Sequence, residues 1–280
     1  MRFRWQLLAG FLASAAASWT AESGSRSPVV HTICRGMCDA SAVMPLGNDR
    51  FIVADDEDNI LRVFSRSRGG APIQTFDLSP FLEVDLKSPE VDLEGAAPLG
   101  DRIYWISSHA RNRNGKDRVN RRRFFATSLP ASNGNPSLRP VGRPYVHLLA
   151  DLLNEPRLKP FHLAAAARRE PKSVGALNIE GLCATPEGYL LLGFRNPIPH
   201  GKALLVPLLN PGALIEGKPA RFGDPLLLDL GGLGVRSLAR TGNRYFILAG
   251  SYHGEGQSVL YEGNGNNDEP QRLVRAELAA

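Results

Sequence analysis

Polar-led segments followed by short apolar runs recur four times along the chain, with glycine, asparagine and aspartate between them. The copies read Asp39-Ala-Ser41-Ala with Arg50-Phe-Ile-Val-Ala-Asp55, and Asp92-Leu-Glu94-Gly with Arg102-Ile-Tyr-Trp-Ile-Ser107. Asn178-Ile-Glu180-Gly pairs with Gly188-Tyr-Leu-Leu-Leu-Gly193, and Gly234-Val-Arg236-Ser with Arg244-Tyr-Phe-Ile-Leu-Ala249. Ser41, Glu94, Glu180 and Arg236 are equivalent positions. Repeats of this size built from short strands mark a propeller, in which no blade can bury its faces alone. The pattern predicts an all-β fold, a β-propeller with four recognisable four-stranded blades. The expected strands are 40–46, 51–54, 60–65 and 73–78; 94–99, 103–107, 123–129 and 138–145; 179–184, 189–194, 203–208 and 225–230; 235–240, 245–249, 258–262 and 271–274.

The long interval between the second and third copies breaks this rhythm. Apolar residues at 148, 149, 152 and 153 and the run Ala164–Ala167 have helical spacing, interrupted by Pro156, Pro160 and Pro171. This predicts a short helical insertion around 146–169 and not another blade. Beyond the fourth copy, Ala276 to Ala280 offers little with which to close a ring, so the propeller is expected at its four-blade minimum or incomplete.

At the other end, Arg2 and Arg4 precede the apolar run Trp5 to Ala17, which closes on Ala15-Ala-Ala17. This is the pattern of a secretory signal peptide, placed at 1–21, ahead of a single propeller domain over 30–280. The run is too short to span a bilayer, and no other segment approaches that length. The protein is accordingly expected to be periplasmic or secreted. Loss of Arg2 and Arg4 takes the formal charge from +5 to +3, so the mature chain is only mildly basic. Of the three cysteines, Cys34 and Cys38 can bridge only if the chain turns at Gly36; buried or idle thiols are the simpler reading. The spacing supports no thiolate zinc site.

Topology says where chemistry should gather. In a blade the start of the first strand and the end of the second lie at the same end, next to the channel. All four copies are polar there, so ring closure should bring their residues round one mouth. Asp39, Asp55, Asp56, Glu94 and Glu180 are candidate ligands for a hard cation such as calcium. The alternatives are a solvated acidic turn for Glu57 and Asp58, and carboxylates serving backbone N–H groups for Asp39, Glu94 and Glu180. His109, Arg111, Asn112, Arg195, Asn196, Arg236 and His253 are candidate contacts for an anionic ligand, since guanidinium groups bind phosphate or carboxylate bidentately. The loop from Arg111 to Arg123 is strongly basic, but expected export and the lack of interleaved aromatics argue against nucleic acid. No nucleophile elbow, P-loop or dinucleotide fingerprint is present.

Gly36-Met-Cys-Asp-Ala-Ser41, Asp55-Asp-Glu-Asp-Asn59, Asp92-Leu-Glu-Gly95, Asn120-Arg-Arg-Arg-Phe124, Asn178-Ile-Glu-Gly181, Gly193-Phe-Arg-Asn-Pro197 and Ala220-Arg-Phe-Gly-Asp224 resemble the bacterial domain of unknown function 3616. The resemblance runs from about Gly36 to the C-terminus. It implies a propeller-like fold and no established reaction. More distantly, the Asp-Leu-Glu-Gly and Asn-Ile-Glu-Gly motifs look like those of the esterase-like phytase group, which would imply phosphoester chemistry. Two functions therefore stand side by side. One is a propeller that binds a small phosphate- or carboxylate-bearing ligand at its mouth. The other is a calcium-assisted phosphoesterase, in which the cation polarises phosphate for attack by water.

Overall fold

The structure is a computed structural model describing residues 31–47, 49–129, 137–254, 256–264 and 270–273. The segment expected to be a signal peptide lies outside these residues, as does the stretch after Leu273. Thr32 onward forms one compact unit.

Among the described residues, sixteen strands make four antiparallel four-stranded sheets. Blade 1 is β1 (Ala40–Leu46), β2 (Arg50–Asp55), β3 (Ile60–Ser65) and β4 (Gln74–Asp77). Blade 2 is β5 (Leu93–Leu99), β6 (Arg102–Ser107), β7 (Phe124–Ser128) and β8 (Pro140–Tyr145). Blade 3 is β9 (Asn178–Ala184), β10 (Leu190–Asn196), β11 (Ala203–Leu208) and β12 (Leu226–Leu228). Blade 4 is β13 (Gly234–Thr241), β14 (Arg244–Gly250), β15 (Val259–Gly263) and β16 (Gln271–Arg272). Strand order follows the sequence in every sheet, and the first strands pack on one another, β1 on β5, β5 on β9 and β9 on β13. The expected four-bladed all-β propeller is what the chain forms. The expected insertion also forms, as helices Leu148–Asn154 and Leu163–Ala166 flanking a 3-10 segment Pro156–Phe161. Two further one-turn helices, Ser79–Leu82 and Pro211–Leu214, fall where only connections were expected. Both carry proline in the first turn, where its missing N–H costs nothing.

Three apolar cores hold the blades together. Between blades 1 and 2, Trp105 is fully buried, stacks on Phe125 at 6.4 Å and donates its indole N–H to Thr127 Oγ1 at 3.1 Å. Between blades 2 and 3, Ile106 and Phe124 meet Leu192, Phe194 and Leu204, and the insertion adds Leu148, Leu152 and Leu163. Between blades 3 and 4 the core is smaller, built round Leu205, Val235, Leu238 and the buried Cys183. Each large side chain so buried contributes about 1.5–3 kcal/mol. The inner strands approach closely because small residues follow the polar ones. A Cβ on Gly95 would lie 2.9 Å from Leu182, and one on Gly181 2.8 Å from Val235.

The fourth junction differs. Among the described residues no apolar core joins blade 4 to blade 1. A cavity of about 670 Å³ runs there instead, with Val43 of β1 (57% exposed) and Leu248 of β14 (37% exposed) on its walls. The sheets therefore form a ring packed at three junctions and loose at the fourth.

Candidate functional site

The mouth is built by one device used four times. In each blade the register between the first two strands slips at its mouth end, leaving one extra residue on the inner strand. In blade 1, Ala40 pairs with Asp55 and Ala42 with Ala54, so Ser41 is the extra residue. By the same count the others are Glu94, Glu180 and Arg236. These are the four equivalent positions of the repeat. A β-bulge bends its strand and re-aims the extra side chain, and such bulges are frequent beside functional sites.

On blades 1 and 2 the device gathers acids. Asp56, Asp92 and Glu94 offer carboxylate oxygens that all lie within 4.8 Å of one another. Burial, reinforced by Asp39 and Asp92, pushes the Asp56 carboxyl up to about 7. Burial also pushes Asp92 up to about 6, although Arg121 opposes it with a bond of 2.8 Å. Burial and the carboxylates of Glu180, Asp92 and Asp56 raise Glu94 well above its ordinary range. Oδ1 of Asp56 is buried with no hydrogen-bond partner. Asp92 also holds a left-handed backbone at φ 57. Arg121, which donates to both Asp92 and Glu90, is the cation bonded within this group.

On blades 3 and 4 two arginines gather around a single carboxylate. Glu180 is 4% exposed; its Oε1 accepts from Asn178 Nδ2 at 3.0 Å and Arg195 Nη1 at 2.6 Å, and its Oε2 forms an ion pair with Arg236 Nε at 3.1 Å. Arg195 donates Nε to Ser251 O at 3.3 Å, while its Nη2 is buried without a partner.

Two cavities meet between these halves. The one of about 670 Å³ reaches toward Arg236 and the loose junction, and a second of about 400 Å³ lies toward Asp92, Arg121 and Asn178. Asp39, Asp56, Glu94, Lys172 and Arg195 line both, so they form the neck.

The remaining sequence candidates distribute unevenly. Asp39 sits at the neck and is exposed. Asp55 does not join the acidic cluster: it is 1% exposed and accepts from the backbone N–H groups of Cys38, Asp39 and Glu57, at 2.8, 3.4 and 3.0 Å. It shapes the turn that carries Asp56. Glu180 likewise stands outside the cluster and serves the arginines. His109 is 2% exposed, bonded through Nδ1 to Ser107 O at 2.8 Å, and burial lowers it to about 4. Arg111 props the insertion through Ala167 O and its own loop through Gly115 O. Asn112 lines the smaller cavity, with its carbonyl oxygen taken by the N–H groups of Asn114 and Lys116. Asn196 faces away from the neck and donates to Pro171 O and Ser173 O at 3.3 and 2.8 Å. His253 is exposed, edge-on to Tyr252 at 4.9 Å. Missed altogether were Lys172 and Gly254. Lys172 arrives from the end of the insertion on the Pro171 to Ser173 turn that Asn196 pins. No repeat position marks it, because that turn belongs to no blade.

The profile of the family described as "Protein of unknown function (DUF3616)" matches residues 39–129 and 143–277. No curated protein matches the chain. Among solved structures, the chain is similar to a luciferin-regenerating enzyme at 12% identity over 86% of this chain and 82% of that one, TM-score 0.37. It is similar to the PQQ-bound aldose sugar dehydrogenase from Streptomyces coelicolor at 11% identity, over 89% of this chain and 85% of that one, TM-score 0.39. A Trypanosoma rangeli sialidase is similar at 11% identity and TM-score 0.40, over 89% of this chain, which spans 39% of the sialidase chain. These likenesses carry nothing about the chemistry of the mouth.

Proposed function

The chain belongs to the DUF3616 family, and we propose that its propeller mouth binds a hard divalent cation, calcium in the first instance, and through it a small anionic ligand. One observation carries the reading: Asp56, Asp92 and Glu94 place oxygens within 4.8 Å of one another, with one Asp56 oxygen buried and unpartnered. Calcium–oxygen bonds of about 2.3–2.6 Å put opposed ligands roughly that far apart. Carboxylates crowded without a counter-ion repel, and a divalent charge among them relieves both repulsion and desolvation. Asp39, beside them at the neck, is a candidate fourth ligand. The anion completes the cation's coordination from the cavity side, within reach of Arg195 and Arg236.

Calcium-assisted hydrolysis of a phosphoester is a second reading, favoured by the cationic nitrogens of Arg195 and Lys172 that line the same neck as the acids. The bound cation would polarise a phosphoryl oxygen. Export to the periplasm or medium belongs to the same proposal, supported by Arg2, Arg4 and the apolar run after them. Among the described residues no helix is long and apolar enough to cross a membrane.

The test is a calcium titration of the metal-free chain followed by thermal unfolding and calorimetry. A ligand that binds only the folded state raises its stability by about 2.7 kcal/mol at a hundredfold excess over Kd. Calcium should raise Tm, EDTA should reverse the rise, and inorganic phosphate should bind only when calcium is present. Absence of both heat and Tm change would end the reading. A phosphoester panel with calcium then decides between binding and hydrolysis.

A further inference from the structure

The basic half of the mouth contains a feature that the cation does not account for. Arg195 is 7% exposed, and its guanidinium is bonded through Nε and Nη1 but not through Nη2. A buried charged donor left unmade is costly, so such a group marks a place where an acceptor belongs. The space it faces is defined from a second direction. A Cβ built on Gly254 would lie 3.2 Å from Arg195 Nη2 and 3.7 Å from Lys172 Nζ. Two cationic nitrogens thus converge beside a glycine whose φ is +89, a backbone conformation that disfavours any side chain. All three residues line the larger cavity, so a ligand entering the mouth reaches this corner.

The charge at the corner indicates what fits. Glu180 is bonded to both Arg195 and Arg236, and neutralises only one of them. Lys172 makes no ion pair among the described residues and adds another positive charge. At the corner itself these three cations face Glu180 as the one carboxylate paired with them, while Asp39, Asp56 and Glu94, which line the same neck, are the groups assigned above to the divalent cation. We propose that Arg195 Nη2 and Lys172 Nζ, on the floor left open by Gly254, form a subsite for a dianionic oxyanion group of the phosphomonoester class. A phosphate monoester carries nearly two negative charges at neutral pH and has three acceptor oxygens. One oxygen accepts from Arg195 Nη2, another from Lys172, and the third is free to reach a cation at the neck. A carboxylate has half the charge and two oxygens, and leaves one of these partners unserved. Asn196 is a positioning residue here, since its bonds to Pro171 O and Ser173 O hold the turn that presents Lys172.

This inference rests on the reading that the mouth takes an anionic ligand, but not on the identity of the cation. Its test uses the full chain and calorimetric titration with inorganic phosphate, then with acetate, in micromolar calcium. The variants are Lys172→Gln, a change at an exposed side chain, and Gly254→Ala, which fills the corner. Equal urea midpoints for Lys172→Gln and the wild type show that its fold is kept. Phosphate should bind the wild type more tightly than acetate does. Lys172→Gln should weaken phosphate binding about tenfold or more, the effect of losing one charged hydrogen bond. Its calcium affinity should not fall, and Gly254→Ala should weaken phosphate binding in the same direction. Phosphate affinity equal in Lys172→Gln and wild type overturns the subsite while leaving the cation site standing. A wild type that binds calcium but no phosphate overturns it as well. If the wild type binds no calcium, the cation reading fails, and phosphate binding that still depends on Lys172 upholds the subsite alone.

Discussion

Glu94 and Glu180 are the same residue at the same place in neighbouring blades, each the extra residue of a bulge and each followed by glycine. Their surroundings assign them opposite work. Glu180 meets Arg195, Arg236 and Asn178, which bond and pair its carboxylate. Glu94 meets Asp56 and Asp92 and is pushed toward its protonated form by burial, by the Glu180 carboxylate and by those two neighbours. The bulge decides where a side chain points, and the residues brought by adjacent blades decide what it does there. One half of the mouth is thereby left short of positive charge, and the other holds a surplus of it. That asymmetry underlies the proposal that a cation and an anion are held side by side.

The contrast breaks most visibly at Glu180. Glu180→Gln leaves Arg195 buried without its counter-charge and should destabilise the fold by about 3–5 kcal/mol, read as a lower urea midpoint at pH 7. Neighbouring Asp55 and Asp56 sharpen the same point. Asp55→Ala strips three backbone N–H groups of their acceptor and should cost about 1–3 kcal/mol, with calcium still bound by the folded protein. Glu94→Gln should do the reverse: metal-free stability at pH 7 holds or rises, while calcium affinity measured by calorimetry falls about tenfold or more. The smallest effect is the pH dependence without metal. Asp56 at about 7 and Asp92 at about 6 bind protons more tightly in the folded chain than at their ordinary 3.8. As pH rises from about 4 to 7 the unfolded chain ionises first, so the stability these groups contribute at low pH is lost across that window. Urea midpoints in EDTA should fall between pH 4 and 7, and saturating calcium should remove the fall.

Much of the fold was legible because a blade repeats a simple code. Apolar alternation and turn residues place a strand in all sixteen expected positions, and Ser41, Glu94, Glu180 and Arg236 stand out as equivalent without any knowledge of the bulge beneath them. The acidic neck was partly legible for the same reason, since Asp56 and Glu94 fall where two strands meet. What failed to read was side-chain direction. His109, Arg111, Asn196 and His253 lie near the mouth in chain order, but the left-handed backbone at His109 and the bonds of Arg111 and Asn196 turn them to structural tasks. Lys172 and Gly254 were invisible because their meeting depends on the turn after the insertion lying beside the loop that follows β14. The loose junction was anticipated only as a ring at its minimum. Its physical basis is that among the described residues no fourth core forms, and Val43 and Leu248 line a cavity there.

The cation proposed for the first two blades sits between Asp56, Asp92 and Glu94. An anomalous difference map from crystals of the chain grown with terbium or manganese tests it directly. One strong peak is expected within about 2.0–2.6 Å of oxygens from all three side chains, absent from crystals of Glu94→Gln grown in the same way. A map with no peak among these three residues, or with its peak against Glu180, would contradict it.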